Sequence, residues 1–216
     1  MLPPRLDSDE IEYLKDFMGN KPDGTKMVEW GSGGSTTMFL PYFKTGSFMS
    51  VEHNHEWFDK VCTELKNGQY DPECLANFTY AFVPPIVDIR FYGYGVPHEE
   101  NPCFANAYIN PRVMDGDKLV DIWDSDIFFV DGICRGAILA TIRAKSKKPL
   151  RNYDDRYGTL RFLKPWLWRL ETPWPTATVF IHDYYGHEMR EPWYNWASGL
   201  YSKVERVGNS LARLHL

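Results

Sequence analysis

The sequence lacks several features that would settle a class at once. No apolar run reaches membrane length, so no spanning helix is expected. The first residues, MLPPRLDSDE, are charged and hold no apolar core, so they do not read as a secretory leader. The four cysteines, Cys62, Cys74, Cys103 and Cys134, make no CxxC pair and no zinc spacing. They read as free thiols of a reducing, cytoplasmic compartment. Positive charge is scarce: 24 Lys and Arg against 29 Asp and Glu leave a net −5. That argues against a general nucleic-acid binder, because phosphate contacts need clustered cations. The one basic run, Arg143 to Arg151, reads as cations complementing a helix C-terminus. There is no internal repeat and no low-complexity linker. The sequon Asn77-Phe78-Thr79 falls at the start of an apparent strand and reads as chance.

What is present is a core and a surplus of rings. Apolar residues make 44% of 216, enough to fold, and aromatics make 16%, with 13 Tyr and 8 Trp. Many rings fall in loop-like segments, where flat side chains suit a pocket for sugars or planar ligands. Along the chain, Asp7 and Glu10 cap a first helix whose Ile11, Leu14 and Phe17 share a face. Strands are expected at 26–30, 48–52, 77–83, 126–132 and 177–183, with helices at 35–43, 55–68 and 135–148 between them. The near-continuous apolar run of DIFFVDG suits a strand buried on both faces. Residues 201–207 and 211–216 read as two strands joined by a tight turn. Strand–helix alternation closing in an antiparallel pair implies an open, mostly parallel α/β sheet with a terminal hairpin. One domain over 1–216 is expected. Segments 84–125 and 149–176, which lack a clear pattern, are read as insertions that shape the acceptor pocket.

The stretch MVEWGSGGSTTMF joins an acid to a turn with almost no side chains. Ligands of such sheets bind beyond the carboxyl ends of the strands, and glycine lets a backbone approach them closely. A dinucleotide wants GxGxxG, but Thr36 stands at the third glycine position, and no Gly-Lys-Ser/Thr ending marks a triphosphate site. A carboxylate at Glu29 instead suits a cationic ligand. Backbone N–H groups from Gly33 to Thr36 suit its carboxylate. Glu52, ending the second strand, suits both ribose hydroxyls.

VEWGSGGST followed by VEH resembles the first two motifs of the Rossmann-like S-adenosylmethionine-dependent methyltransferases, and FFVDG and FIHDYYG are similar to their fourth- and fifth-strand motifs. The resemblance runs in order from Lys26 to Leu216. It implies a three-layer fold with a seven-stranded sheet ordered 3-2-1-4-5-7-6, the seventh strand antiparallel. It also implies S-adenosylmethionine as cofactor, with Glu29, Gly31, Ser32, Gly33, Ser35, Thr36, Glu52, His53 and Asp131 as the candidate contacts. His53 enters by position and is expected to be exposed. The third strand ends in VPP, where many relatives keep an acid or amide near the adenine.

Methyl transfer to an aliphatic hydroxyl needs in-line placement and removal of the hydroxyl proton. The candidates are Asp131, His182 and Asp183, all at strand ends over one crevice. Resemblance to certain sugar and natural-product O-methyltransferases makes Asp131 and Asp183 candidate Mg²⁺ ligands. Hard cations prefer all-oxygen sites, so His182 leaves a metal-free base mechanism open. Arg135, Tyr184, Tyr185 and Trp193 are the substrate candidates. Aromatic walls above acids suit a carbohydrate hydroxyl, and the pattern also resembles glycan-methylating enzymes of large algal viruses, which would act in the host cytoplasm. The competing classes are a catechol O-methyltransferase, an NAD(P)-dependent oxidoreductase and a cofactor-binding subunit without chemistry. A small molecule or oligosaccharide is the expected partner, with no membrane and no nucleic acid; the number of subunits stays open, a dimer included.

Overall fold

Short apolar runs set the frame. β1 (Lys26–Trp30) and β2 (Ser47–Glu52) are each exposed only at their first residue, and β6 (Ile127–Val130) is buried throughout. Central strands of a parallel sheet are hidden on both faces in this way. A computed structural model describes residues 2–84, 107–115, 117–146, 177–185 and 196–215. With β3 (Phe78–Phe82), β7 (Thr178–Ile181), β8 (Lys203–Val207) and β9 (Leu211–His215), these strands form one seven-stranded sheet ordered β3-β2-β1-β6-β7-β9-β8. Counting only the strands of this sheet, that is the expected order 3-2-1-4-5-7-6. Pairing is parallel from β3 through β7 and antiparallel from β7 to β9 and from β9 to β8.

Helices cover both faces. α1 (Ser8–Gly19), α2 (Gly34–Phe39) and the 3-10 turn Leu40–Tyr42 pack on the face carrying Met27, Phe48, Phe129 and Phe180. α5 (Arg135–Lys145) sets Ile138, Leu139 and Ile142 on the other face, with Val28, Val51, Phe128 and Val179. Each fully buried side chain of this size contributes about 1.5–3 kcal/mol. α3 (His55–Asn67) starts at Asn54, whose Oδ1 accepts the Trp57 amide at 3.2 Å. α4 (Pro72–Ala76) precedes β3.

Glu10 caps α1 and reaches further. It accepts the Asp7 amide at 3.1 Å, and it also accepts the amides of Ser210 and Leu211 at 2.7 and 2.8 Å. Burial pushes its pKa up, but these amides outweigh burial and hold it below the ordinary value. The first helix is thereby tied to the β8–β9 turn, about 200 residues away in sequence.

Two small strands, β4 (Met114–Asp115) and β5 (Lys118–Leu119), form an antiparallel ribbon inside the 84–125 segment. The rest of that segment before residue 107, and all of 149–176, lie outside the described residues. No helix among the described residues is long and apolar enough to cross a membrane.

Candidate active site

Parallel pairing lines up the strand ends. The Gly31 amide donates to the Val51 carbonyl at 2.9 Å, the Asp131 amide to Trp30 at 2.8 Å and the His182 amide to Val130 at 3.0 Å. Glu52, Gly31, Asp131 and His182 therefore stand in a row across the carboxyl edge of the sheet. Three strand spacings make that row about 14 Å long.

The turn after β1 is tight because nothing larger fits. Gly31 has φ +87° and a Cβ there would lie 2.6 Å from the Gly132 amide nitrogen. The glycine is thus required by the contact between the two strand ends, quite apart from any ligand.

Glu29 lies below the row and is fully buried. Its Oε1 accepts Ser35 Oγ at 2.6 Å, and its Oε2 accepts Thr36 Oγ1 and Ser50 Oγ, each at 2.6 Å. Ser50 is its register partner on β2, so the two side chains share a face. Burial pushes the Glu29 pKa up to about 7, against the three hydroxyls that favour its charge. Both oxygens are engaged by the protein, so direct contact with a ligand cation is not offered here. The side chains of Ser35 and Thr36 turn inward with it: both hydroxyls serve Glu29, and the Gly33 amide donates to Thr36 Oγ1 at 3.0 Å. Gly34 is pressed against the backbone of Pro3 and Pro4, so the start of α2 is covered by the chain's own N-terminal segment.

Glu52 is the carboxylate at the row itself, 2% exposed. Oε2 accepts the amide and the hydroxyl of Ser32, both at 2.7 Å; Oε1 accepts the amides of His53 and Asn54 at 2.8 and 2.7 Å. Burial pushes its pKa up, but the His53 imidazole, the Ser32 hydroxyl and the Asn54 amide outweigh burial and hold it below the ordinary value. Because Ser32 gives its proton to Glu52, Tyr80 donates to Ser32 Oγ in turn, at 2.6 Å. His53, expected at the surface, is 13% exposed. Its ring meets the edge of Tyr108 at 5.1 Å.

At the other end of the row, Asp131 Oδ1 and His182 Nδ1 are 2.7 Å apart. A carboxylate only accepts, so Nδ1 carries the proton and Nε2 is left as the basic nitrogen. Burial lowers the His182 pKa, but the bond to Asp131 and the charges of Asp131 and Asp183 outweigh it and raise the value. Asp183 Oδ1 stands 3.7 Å from Nε2. Asp183 takes the left-handed region at φ 53°, which aspartate tolerates better than most residues. Arg135, expected to touch substrate, fastens these ends together. Its Nε donates to the Gly132 carbonyl at 2.7 Å, Nη1 to the His182 carbonyl at 2.8 Å and Nη2 to Asp183 Oδ2 at 3.4 Å.

The ligating atoms of Asp131, His182 and Asp183 all lie within 4.8 Å of one another. The set fits Mg²⁺ poorly. One donor is an imidazole nitrogen, which a hard cation does not favour. A cation there would also stand beside the Arg135 guanidinium, whose Nη2 donates to Asp183 Oδ2 at 3.4 Å.

Of the expected aromatic wall, Tyr184 belongs to the core: it is 7% exposed and donates to Ser198 Oγ at 2.9 Å. Tyr185 is half-buried beneath the Arg206 guanidinium, 4.5 Å from its ring. Trp193 lies outside the described residues. Sequence reading missed Ser50, Tyr80 and Tyr108; only Ser50, a polar residue inside the apolar run FMSVE, left a trace. A cavity of about 580 Å³ beside Tyr13, Lys21, Asp126 and Arg213 opens at the opposite edge of the sheet and contains none of these candidates.

No protein-family model matches the sequence, and no curated protein matches it. Solved structures do match in fold. A methyltransferase-like protein from Silicibacter pomeroyi is 15% identical, with a TM-score of 0.59 over 100% of this chain and 88% of its own. A Staphylococcus aureus protein assigned as a caffeoyl-CoA O-methyltransferase is 10% identical, with a TM-score of 0.54 over 99% of this chain and 85% of its own. Precorrin-6y C5,15-methyltransferase from Geobacter metallireducens is 12% identical, with a TM-score of 0.50 over 100% of this chain and 92% of its own. At such identities the likeness is one of architecture: the chain has the Rossmann-like α/β fold of the methyltransferases.

Proposed function

We propose that the protein is an S-adenosylmethionine-dependent O-methyltransferase that methylates a sugar hydroxyl, with His182 as general base. The observation that carries this reading is the 2.7 Å Asp131–His182 bond, placed at the end of the row that begins at Glu52. S-adenosylmethionine, when bound, supplies an electrophilic methyl group on a sulfonium centre. The chain supplies the rest. Glu52 is ionised and fixed, and its contact with the Ser32 hydroxyl can be exchanged for a ribose hydroxyl. Carboxylates at Glu52, Asp131 and Asp183 give the crevice the negative field that a sulfonium favours and a pyrophosphate does not. That field favours the methyl donor over NAD(P).

His182 Nε2 takes the proton of the acceptor hydroxyl. Asp131 holds the imidazole in the tautomer that allows it, and Asp183 offsets the imidazolium that forms. An aliphatic alcohol is the acceptor that most needs such a base, which favours a sugar over a catechol. No metal takes part in the steps proposed.

The test is turnover of labelled S-adenosylmethionine against a panel of oligosaccharides and catechols, read by mass spectrometry as a gain of one methylene. His182→Gln is expected to lower the rate by about 10²-fold or more. Heat of binding from NADH and none from S-adenosylmethionine would refute the reading.

A further inference from the structure

Tyr108 is the buried group beside the row that the mechanism above leaves without work. Its ring is fully buried, and its backbone carbonyl accepts the Trp30 indole N–H at 2.9 Å. Its hydroxyl reaches the Cα of Gly132, so that any side chain at Gly132 would overlap it. That places the phenol over the seam between β1 and β6, where the strand order reverses. The hydroxyl has no hydrogen-bond partner. Its neighbour His53 stands with Nδ1 3.1 Å from Glu52 Oε1. The unpartnered hydroxyl therefore sits against the histidine that adjoins the carboxylate proposed to hold a ribose.

An unpaired buried hydroxyl costs about 1–3 kcal/mol, and phenylalanine would fill the same space without that cost. The hydroxyl is explained if a partner arrives with a ligand. We propose that Tyr108 is a cofactor-binding residue whose hydroxyl hydrogen-bonds the nucleoside half of S-adenosylmethionine across the β1–β6 seam. The assignment rests on the function proposed above. The nucleoside half is chosen because the ring of His53, the residue after Glu52, packs directly against the phenol at 5.1 Å. Burial and the charges of Glu52 and Asp131 also hold the phenol far above its ordinary pKa, so it meets a ligand as a neutral donor.

The experiment compares the wild type with Tyr108→Phe by calorimetric titration and thermal melting. The titrants are S-adenosylmethionine and 5′-methylthioadenosine, which lacks the amino-acid half. Expected is a loss of roughly tenfold in affinity for both ligands, with the melting temperature of the free variant equal to or above that of the wild type. Unchanged affinity for either ligand, or a melting temperature that falls, would overturn the assignment. A wild type that binds neither ligand removes the functional reading itself and this inference with it, a result distinct from a loss confined to the variant.

Discussion

Glu29→Gln tests whether a buried acid shapes the stability of the site. The Glu29 pKa is pushed from an ordinary 4.5 to about 7 by burial. At 1.36 kcal/mol for each tenfold step, ionising Glu29 in the folded protein costs about 3 kcal/mol more than in the unfolded chain. The sign follows from linkage. A carboxyl whose folded pKa is raised favours folding fully below 4.5, and that contribution is lost as pH rises through about 7. Glutamine imitates the protonated acid. Its carbonyl can accept Thr36 and Ser50, and its NH₂ can donate to Ser35 Oγ. Urea unfolding of both proteins at about pH 5 and about pH 8.5 isolates this one group, because every other titration cancels. The variant is expected to gain roughly 2–3 kcal/mol on the wild type between those conditions. That corresponds to about 5–10 °C in melting temperature for a chain of this size. An equal gap at both pH values would refute the reasoning.

Other outcomes follow from the same geometry. Asp131→Asn keeps an oxygen that can accept from Nδ1 but removes the charge that raises the His182 pKa, so the rise of kcat/KM with pH should move to lower pH while its plateau falls; a rise left in place would uncouple the pair. Gly31→Ala forces a Cβ to 2.6 Å from Gly132 N at φ +87° and should cost at least about 2 kcal/mol; a melt like that of the wild type would contradict the tight turn. Turnover should survive EDTA, and a loss that Mg²⁺ restores would return a metal to the Asp131–His182–Asp183 cluster.

Much of the frame was legible because burial on both faces writes itself into the chain. IFFV in β6 and the tight turn that joins β8 to β9 could be read directly. Boundaries ran long by one to three residues, since side chains stay apolar where ladder bonds have ended: helix α5 stops at Lys145, and β6 and β7 stop at Val130 and Ile181. β4 and β5, two residues each, are too short for any period to show. The grouping of Asp131, His182 and Asp183 followed from their place at strand ends. What sequence could not show was partnership. Nothing in FIHDYYG distinguishes a pocket wall from Tyr184, whose hydroxyl is spent on Ser198. Arg135 reads as a substrate contact until the ends of β6 and β7 come within reach of its fork.

The two glutamates show why strand position matters more than strand identity. Both follow apolar runs, and both invite the same reading as clasps on one cationic ligand. Register separates them. Glu29 pairs with Ser50, and Glu52 lies two residues beyond Ser50 on the same strand. The pleat therefore puts both side chains on one face, with Glu52 about 6.6 Å further toward the carboxyl edge. That single step carries Glu52 to the turn, where Ser32 meets it from above, and leaves Glu29 beneath the turn among three hydroxyls. Burial then divides their chemistry. Glu52 stays ionised because its amide, hydroxyl and imidazole neighbours replace the water it lost, whereas Glu29 has hydroxyls alone and moves toward neutrality. Glu52 is thus suited to grip a ligand, and Glu29 to fix the loop that presents Ser32 to it.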